Sequence, residues 1–546
     1  MSSAFDTHEV FNQSPPHSGV NLFTSDPGLG VLVESMPPGI VEQLVAHGAL
    51  WGAPETNELA RIANQTTPVL KTHDASGMRI DMVEFHPAYH ALMRRSVSAG
   101  LHCSIWDAAG EEANVRSIAR AARLFMTAQI ECGHICPMTM TNASVAALAH
   151  TPALADQWLP MIRSRQYDSS QKPPSAKTGV TLGMGMTEKQ GGSDLGATTT
   201  RAENAHDGTW RIIGHKWFMS APMSDAFLVL ALTVQGLSCF LVPRVLPDGS
   251  RNAIRLMRLK DKLGNRSNAS SEVEFIEAAG WLVGEPGRGI ATILDMVTFT
   301  RLDCAVASAG LMRSAIAEAV HHTRHRKAFG AALIDQPLMA RVLADMALDA
   351  VACAALVFRL AESYDRANDD PAEAAFARLM TPAVKYWVCK VAPNMIGEAM
   401  ECLGGNGYVE ESRLPRLYRE APVNAIWEGS GNVMCIDVMR VLRKSSEPLE
   451  VVLAGVEAAL GATAQSTLNV LRAATAVALA DEGSARILTE QLAMTAAAAA
   501  LRQRFPAVVS DAFLETRLGK PWRTTYGMLD SRFDARAFLD YLCPSA

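Results

Sequence analysis

The sequence predicts an α+β protein that is mostly α: a helical domain, a central β domain, a helical bundle and a further helical module. Three observations predict it. Apolar residues recur at helical spacing through most of the chain, as in Val115, Ile118, Ala122, Phe125 and Ile130. Between Trp210 and Phe275 the pattern changes to short apolar runs punctuated by Gly and Asp. At 546 residues and 49% hydrophobic content, the chain exceeds one compact core and divides into several domains.

Residues 1–36 are polar at first, with Pro15 and Pro16, and read as an extended N-terminal arm. Residues 37–179 read as a helical domain, closing in the Ser-, Pro- and Lys-rich run YDSSQKPPSAKTG, a linker or exposed loop. Residues 180–282 form the β domain. Runs such as WRIIGHKWF, FLVLALTV and LSCFLVP are separated by turn signals at His206-Asp207-Gly208 and Pro247-Asp248-Gly249. Helical periodicity returns over 283–444 and stops at the glycines after Leu403. An Ala-rich helical module, 445–546, follows. No internal repeat of twenty to fifty residues is visible.

Composition excludes several classes. A net charge of −6 gives no global reason to bind nucleic acid or an anionic membrane. No run of about twenty uncharged apolar residues, the length of a bilayer span, is present. No basic segment followed by an apolar run opens the chain, so no signal peptide is expected. Ten scattered cysteines lack paired metal spacing. Cys132 and Cys136 flank His134, but small apolar side chains on a buried helix explain them better than a metal. Free thiols fit a reducing cytoplasm.

Two distant segments carry the chemistry. GMGMTEKQGGSD, Gly183 to Asp194, reads as a glycine-rich cradle for a phosphate-bearing cofactor, with Gly191, Gly192 and Ser193 approaching phosphate and Met186 and Thr187 serving a ring. AIWEGSGN, Ala425 to Asn432, offers the carboxylate of Glu428 beside Gly429, Ser430 and Gly431, which let a substrate carbon come close. Burial of that carboxylate raises its pKa towards neutrality, as a general base requires. A helix-capping glutamate is the plainer alternative. In HKWFMSAP, Trp217 or Phe218 covers a flavin-like ring and Ser220 reaches N5 or O4; the alternative is a strand with buried aromatics. RHRKAFG pairs Arg326 with a phosphate and Phe329 with an adenine, or is a solvated helix end. ECLGGNGY is a flexible glycine turn or a simple helix stop.

These pieces stand in the order seen in the acyl-CoA dehydrogenases, and over roughly residues 37–444 the chain resembles that family. The resemblance implies a helical domain, a central β-barrel or sandwich and a helical bundle, with FAD as cofactor. It implies that Met184, Thr187, Gly192, Ser193, Phe218, Met219, Ser220 and the stretch from Ile426 and Trp427 through Gly429, Ser430, Gly431 and Asn432 to Cys435 line FAD. Arg326, Phe329 and Gln336, with the turn at Gly404 and Gly405, resemble segments that contact the FAD of a neighbouring subunit. Glu428 takes the position of the catalytic base. The other position used for the base in this family is occupied here by Thr300, before Arg301, which leaves Glu428 alone; Arg301 is expected to place substrate or hold the site.

NLFTSDPGL, CGHICPMTMT, KDKLGNRSNASSEVEF and LPRLYREAPVNAIWEGSGNVMCIDVMRVL resemble the alkylation-response branch of the same superfamily, a likeness that fades after Lys444. It implies a cytoplasmic homotetramer with an acyl-CoA-like substrate, weak α,β-dehydrogenation and binding of double-stranded DNA through the C-terminal module. An ordinary acyl-CoA dehydrogenase of fatty or branched-chain metabolism, without DNA, is the alternative. Residues 445–546 hold nine Lys and Arg against eleven Asp and Glu, which is not a basic module. Between 502 and 536 seven basic residues face four acidic ones, so Arg502, Arg504, Arg517, Lys520 and Arg523 are the candidate phosphate contacts. A tail that only assembles the oligomer is a third reading.

Overall fold

In the computed structural model, residues 7–519 and 533–544 are described. The arm leads to a helical turn at Pro27–Leu32 and then to α1 (Pro38–Gly52), α2 (Pro54–Gln65), α3 (Pro87–Ser98), α4 (Arg116–Ala128), α5 (Ile135–Leu148) and α6 (Pro152–Ile162). Four of these helices carry proline in the first turn, where its missing N–H is one that a helix leaves unbonded anyway. A hairpin, β1 (Val69–His73) and β2 (Arg79–Glu84), interrupts a region that the sequence pattern assigned to helices. Its turn is built by Asp74, whose Oδ1 accepts from the N–H groups of Ser76 and Met78.

Helix α4 also departs from the amphipathic pattern. Every residue from Ser117 to Ala128 is buried, not one face alone. Two of them are arginines. Arg120 makes a bidentate pair with Asp303 at 2.6 and 2.7 Å, and its Nε donates to the Leu101 carbonyl at 2.8 Å. Arg123 is held by Glu112 and Gln43.

The β domain consists of β3 (Leu182–Gly185), β4 (Arg201–Asn204), β5 (Trp210–Ser220), β6 (Ala226–Thr233), β7 (Gly236–Pro243), β8 (Ile254–Leu259) and β9 (Ser270–Val283). Strand β7 pairs with both β6 and β9, and β5 with both β4 and β9. A single Arg201–Leu232 pair joins β4 to β6 and closes the ring into a barrel. Ile212, Phe227, Val229, Phe240, Val273 and Phe275 fill it. A second apolar cluster joins α5 to the outer faces of β3, β6 and β7 and to Ile293 and Met296 of the bundle, and so locks the barrel between two helical layers.

The bundle contains α7 (Gly289–His325), α8 (Pro337–Arg366), α9 (Pro371–Cys402), α10 (Leu414–Asn424) and α11 (Gly431–Lys444). Between α7 and α8 lies a small hairpin, β10 (Lys327–Ala328) and β11 (Ala331–Ala332). The C-terminal module follows as α12 (Glu447–Leu460), α13 (Ala464–Ala480), α14 (Ala485–Arg504), α15 (Ala507–Phe513) and α16 (Ala535–Leu542). It does not stand apart. Helix α14 packs on α8, α9 and α11, and one apolar core runs from the N-terminal domain through the bundle into the module. The alanines between Ala493 and Ala500 are all buried, and their small side chains let α14 approach its neighbours closely. The run Glu447–Ala480 has the length and mean composition of a membrane-crossing helix, but Glu457 and Arg472 interrupt it, so it holds no twenty uncharged residues, and Gly461, at φ 57°, divides it into α12 and α13.

Candidate active site

The base-bearing loop spans the gap between α10 and α11. Helix α10 ends at Asn424, whose side chain accepts from Trp427 Nε1 at 3.0 Å and donates to Ser308 Oγ at 3.1 Å. The carbonyls of residues 427–429 are gripped from below. Lys385 of α9, 1% exposed, donates from Nζ to the carbonyls of Trp427 at 2.8 Å and Gly429 at 2.6 Å. Arg301 of α7 donates from Nε to the carbonyl of Glu428 at 3.1 Å. This grip holds Glu428 at φ 58°, a left-handed conformation costly for any residue but glycine. Gly429 follows at φ 106°, and a Cβ there would come within 2.5 Å of Met434 Cε.

The Glu428 carboxylate accepts from Thr300 Oγ1 at 2.5 Å. Burial raises its pKa above the ordinary glutamate value. The Thr300 hydrogen bond and the charges of Lys385 and Arg301 oppose that rise, while Asp303 adds to it. A buried carboxylate that is hydrogen-bonded at one oxygen and raised in basicity is suited to accept a proton.

The glycine-rich segment leaves β3 and turns at Glu188–Gly191, where each backbone N–H donates to the other residue's carbonyl. The turn is tied down from within by the Glu188 carboxylate. It accepts from Lys216 Nζ at 2.7 Å, from the N–H groups of Thr199 and Thr200, and from the Thr199 hydroxyl. Burial would raise this carboxyl, but Lys216 and the threonine donors overrule it and hold it far below the usual range. Gly192 lies directly over the Thr187 side chain, so a Cβ at 192 would strike it. Gly191, at φ 143°, and Ser193 face open space. Strand β5 is fastened to the loop by Trp217 N–H on the Thr187 carbonyl at 2.8 Å. It presents Phe218, 51% exposed, and ends at Ser220.

The two segments meet. Met184, Met186 and Trp427 pack on the edge of the same apolar cluster. Between them lies Cys136 of α5. Its buried thiol is pushed up to about 12 by burial, against the effect of nearby Ser220, Asn268 and Lys262, while Glu428 adds to the rise. Cys136 is thus close to both the strand end at Ser220 and the loop that carries Glu428.

Other residues singled out in the sequence lie elsewhere. Met219 is fully buried inside the barrel, so its side chain faces away from any cofactor wall, since neighbouring residues of a strand alternate. Arg301, expected to place substrate or hold the site, has only 9% of its side chain exposed, pairs with Asp437 at 2.7 Å and holds the Glu428 loop. Arg326 donates to the Asn12 carbonyl at 2.6 Å, and Gln336 Nε2 to the Ala328 carbonyl at 3.1 Å. Phe329 stands at the tip of the β10–β11 hairpin, 98% exposed at φ 53°. The hairpin lies beyond the far end of α7, whose last residue, His325, is 25 residues from Thr300 or roughly 38 Å along the helix. Gly404 and Gly405 are exposed beyond the end of α9, away from Lys385. Ile426 is exposed and Asn432 accepts from Arg486 Nε of α14 at 2.8 Å.

Of the candidate DNA contacts, Arg517 is buried and paired with Asp345 and Asp349, which overturns a phosphate-facing role for it. Arg502 pairs with Asp511 and Arg504 with Glu362. Lys520 and Arg523 lie outside the described residues. Sequence reasoning missed Lys385. Its one signal was a lysine within an otherwise apolar stretch of a long helix.

Residues 183–278 match the acyl-CoA dehydrogenase middle domain and 287–443 the acyl-CoA dehydrogenase C-terminal domain. The chain belongs to the acyl-CoA dehydrogenase family, oxidoreductases that act on CH–CH groups. Residues 12–169 match the adaptive response protein AidB N-terminal domain, and the chain is 52% identical over 445 residues to AidB of Escherichia coli (strain K12), covering 81% of this chain and 82% of that one. It is 35% identical over 406 residues to acyl-CoA dehydrogenase family member 11 of Caenorhabditis elegans, over 71% of this chain and 64% of the relative. The crystal structure of Caenorhabditis elegans ACDH-11 superposes with a TM-score of 0.85 at 28% identity, covering 100% of this chain and 94% of that chain.

Proposed function

We propose that this chain is an FAD-dependent acyl-CoA dehydrogenase of the AidB type, with Glu428 as the base that removes the α-proton of an acyl-CoA thioester. The observation that carries the reading is a hydrogen-bonded, burial-raised carboxylate on a loop whose Trp427 packs on the same apolar cluster as Met184 and Met186, with Cys136 close to both Ser220 and Glu428. The residues fit a flavin. Phe218 and Trp427 supply flat apolar surface, Ser220 a hydroxyl, and Gly191 and Ser193 an open backbone for phosphate. When bound, FAD supplies the acceptor for the hydride that leaves Cβ. Glu428 takes the α-proton, Thr300 keeps its carboxylate oriented, and Lys385 with Arg301 keeps the loop in register. The ACDH-11 structure is a complex with C11-CoA, which supports an acyl-CoA of that size as the first probe.

The test is anaerobic bleaching of the reconstituted protein by a panel of acyl-CoAs. Bleaching that vanishes in Glu428→Gln is expected; no bleaching with any thioester refutes the reading. A homotetramer completes the picture, because Phe329 of one chain lies too far from its own Glu428 to share a cofactor with it. Cytoplasmic location is supported by ten free, buried cysteines. Association with double-stranded DNA in an alkylation response rests on similarity to AidB and on Lys520 and Arg523. Duplex binding that weakens with salt and falls in Lys520→Ala/Arg523→Ala supports it, and its absence at low salt removes it.

A further inference from the structure

Beneath Ser220 lies a polar chain that the proton-abstraction chemistry does not use. The Lys262 ammonium donates to the Asn268 carbonyl at 2.7 Å and to Ser270 Oγ at 3.1 Å. Ser270 Oγ lies 3.1 Å from Ser220 Oγ, its register partner across β5 and β9. We propose that Lys262 is a positioning residue for the flavin: through Ser270 it orients the Ser220 hydroxyl as a donor towards the cofactor, and it places a positive charge behind that donor.

The argument is one of proton counting. An ammonium only donates, so Ser270 Oγ accepts from it and turns its own single proton to Ser220. Ser220 Oγ then accepts from Ser270, which leaves its one proton free to point outward. A donor at this position, backed by a buried cation, stabilises negative charge that develops on the cofactor. The charged and titratable groups that face Lys262 are Cys136 of α5, Glu131 ahead of it and Glu420 of α10. Burial lowers the ammonium to about 8, against the pull of those three groups.

The proposal rests on the flavoprotein reading, and its test separates the two. Reduction delivers two electrons and one proton to the cofactor and leaves it one unit more negative. Lys262 then holds its proton more tightly, so above about pH 8 one further solvent proton is taken up per two electrons. The midpoint potential of bound FAD is measured against redox dyes across pH in the wild type, Lys262→Met, Lys262→Arg and Ser270→Ala. In Lys262→Met the ratio of reduced to oxidised cofactor at fixed dye potential falls about tenfold, ~30 mV for a two-electron couple, and the plot of potential against pH loses its steepening above about pH 8. Lys262→Arg keeps most of the wild-type potential but removes the break. Ser270→Ala lowers the potential by a smaller factor and keeps the break. FAD bound to Lys262→Met with wild-type potential and slope overturns the proposal and leaves the flavoprotein reading intact. A wild-type protein that refuses FAD overturns that reading itself. Should Lys262→Met fail to fold or to bind FAD, an unchanged potential in Ser270→Ala overturns the proposal.

Discussion

Replacing Lys385 with methionine is expected to disable the site without touching Glu428. The ammonium makes two hydrogen bonds, to the carbonyls of Trp427 and Gly429, from a position almost closed to solvent. Hydrogen bonds from a charged donor contribute roughly 1.5–3 kcal/mol each, and a methionine that fills the space leaves both acceptors unpaired, so about 3–5 kcal/mol of local stability is lost. The left-handed backbone at Glu428 persists only while its surroundings hold it, so that loss appears as movement of the loop. A displacement of about 1 Å at a reacting group costs on the order of 100-fold in rate. A second effect is electrostatic. The Lys385 charge lowers the Glu428 pKa against the effect of burial, so removing it sends that pKa further up. The base reacts ionised, and the acid limb of kcat/KM therefore moves to higher pH. Stopped-flow bleaching by an acyl-CoA across pH, with unfolding followed in parallel, reads both effects. A variant with the wild-type acid limb and a rate within threefold of wild type refutes the reasoning.

Four further outcomes are expected. Thr300→Val removes the hydroxyl on Glu428; the acid limb of kcat/KM moves to higher pH and the rate at neutral pH falls about tenfold, as for a mispositioned general base. Phe329→Gly relieves a left-handed backbone and leaves the thermal midpoint equal or higher, while FAD affinity measured by titration falls. The Glu131 carboxyl is brought down to about 2: burial alone would raise it, but His134 and Ser267 prevail. Because the folded value is depressed, its contribution is present above the ordinary value of 4.5 and is lost as pH falls from there towards 2, which the thermal midpoint will show. Arg517→Ala removes a buried guanidinium that pairs with both Asp345 and Asp349 and destabilises the protein in denaturant unfolding, with the salt dependence of any duplex binding unchanged.

Much of this arrangement was legible in the chain because its cues are local. The change from helical to alternating periodicity near Trp210 locates the barrel strands, and a glutamate followed by Gly-Ser-Gly marks a loop with close backbone approach. What stayed hidden depends on residues distant in sequence. Nothing near Met219 indicates that strand alternation turns its side chain into the barrel while Phe218 faces out. The choice for Arg301 between placing substrate and holding the site stays open until Asp437, 136 residues away, is seen beside it. The β1–β2 hairpin escaped because its turn is made by the side chain of Asp74, and its strands are too short for alternation to register. Lys385 escaped because a charged residue amid apolar neighbours gains meaning only when the carbonyls it serves are known. The tail arginines illustrate the same limit: their charge is readable, but the carboxylates that neutralise them sit in other helices.

The inward-turned carbonyls of residues 427–429 have one more consequence. In a trans peptide the N–H of the following residue points opposite to the carbonyl. The amides of Glu428, Gly429 and Ser430 therefore aim away from Lys385 and Arg301. The backbone presents a row of dipole ends that no side-chain exchange at 428 removes. A glutamine there should still polarise a thioester while taking no proton from it, giving an inert complex in which the bound ligand can be observed unreacted.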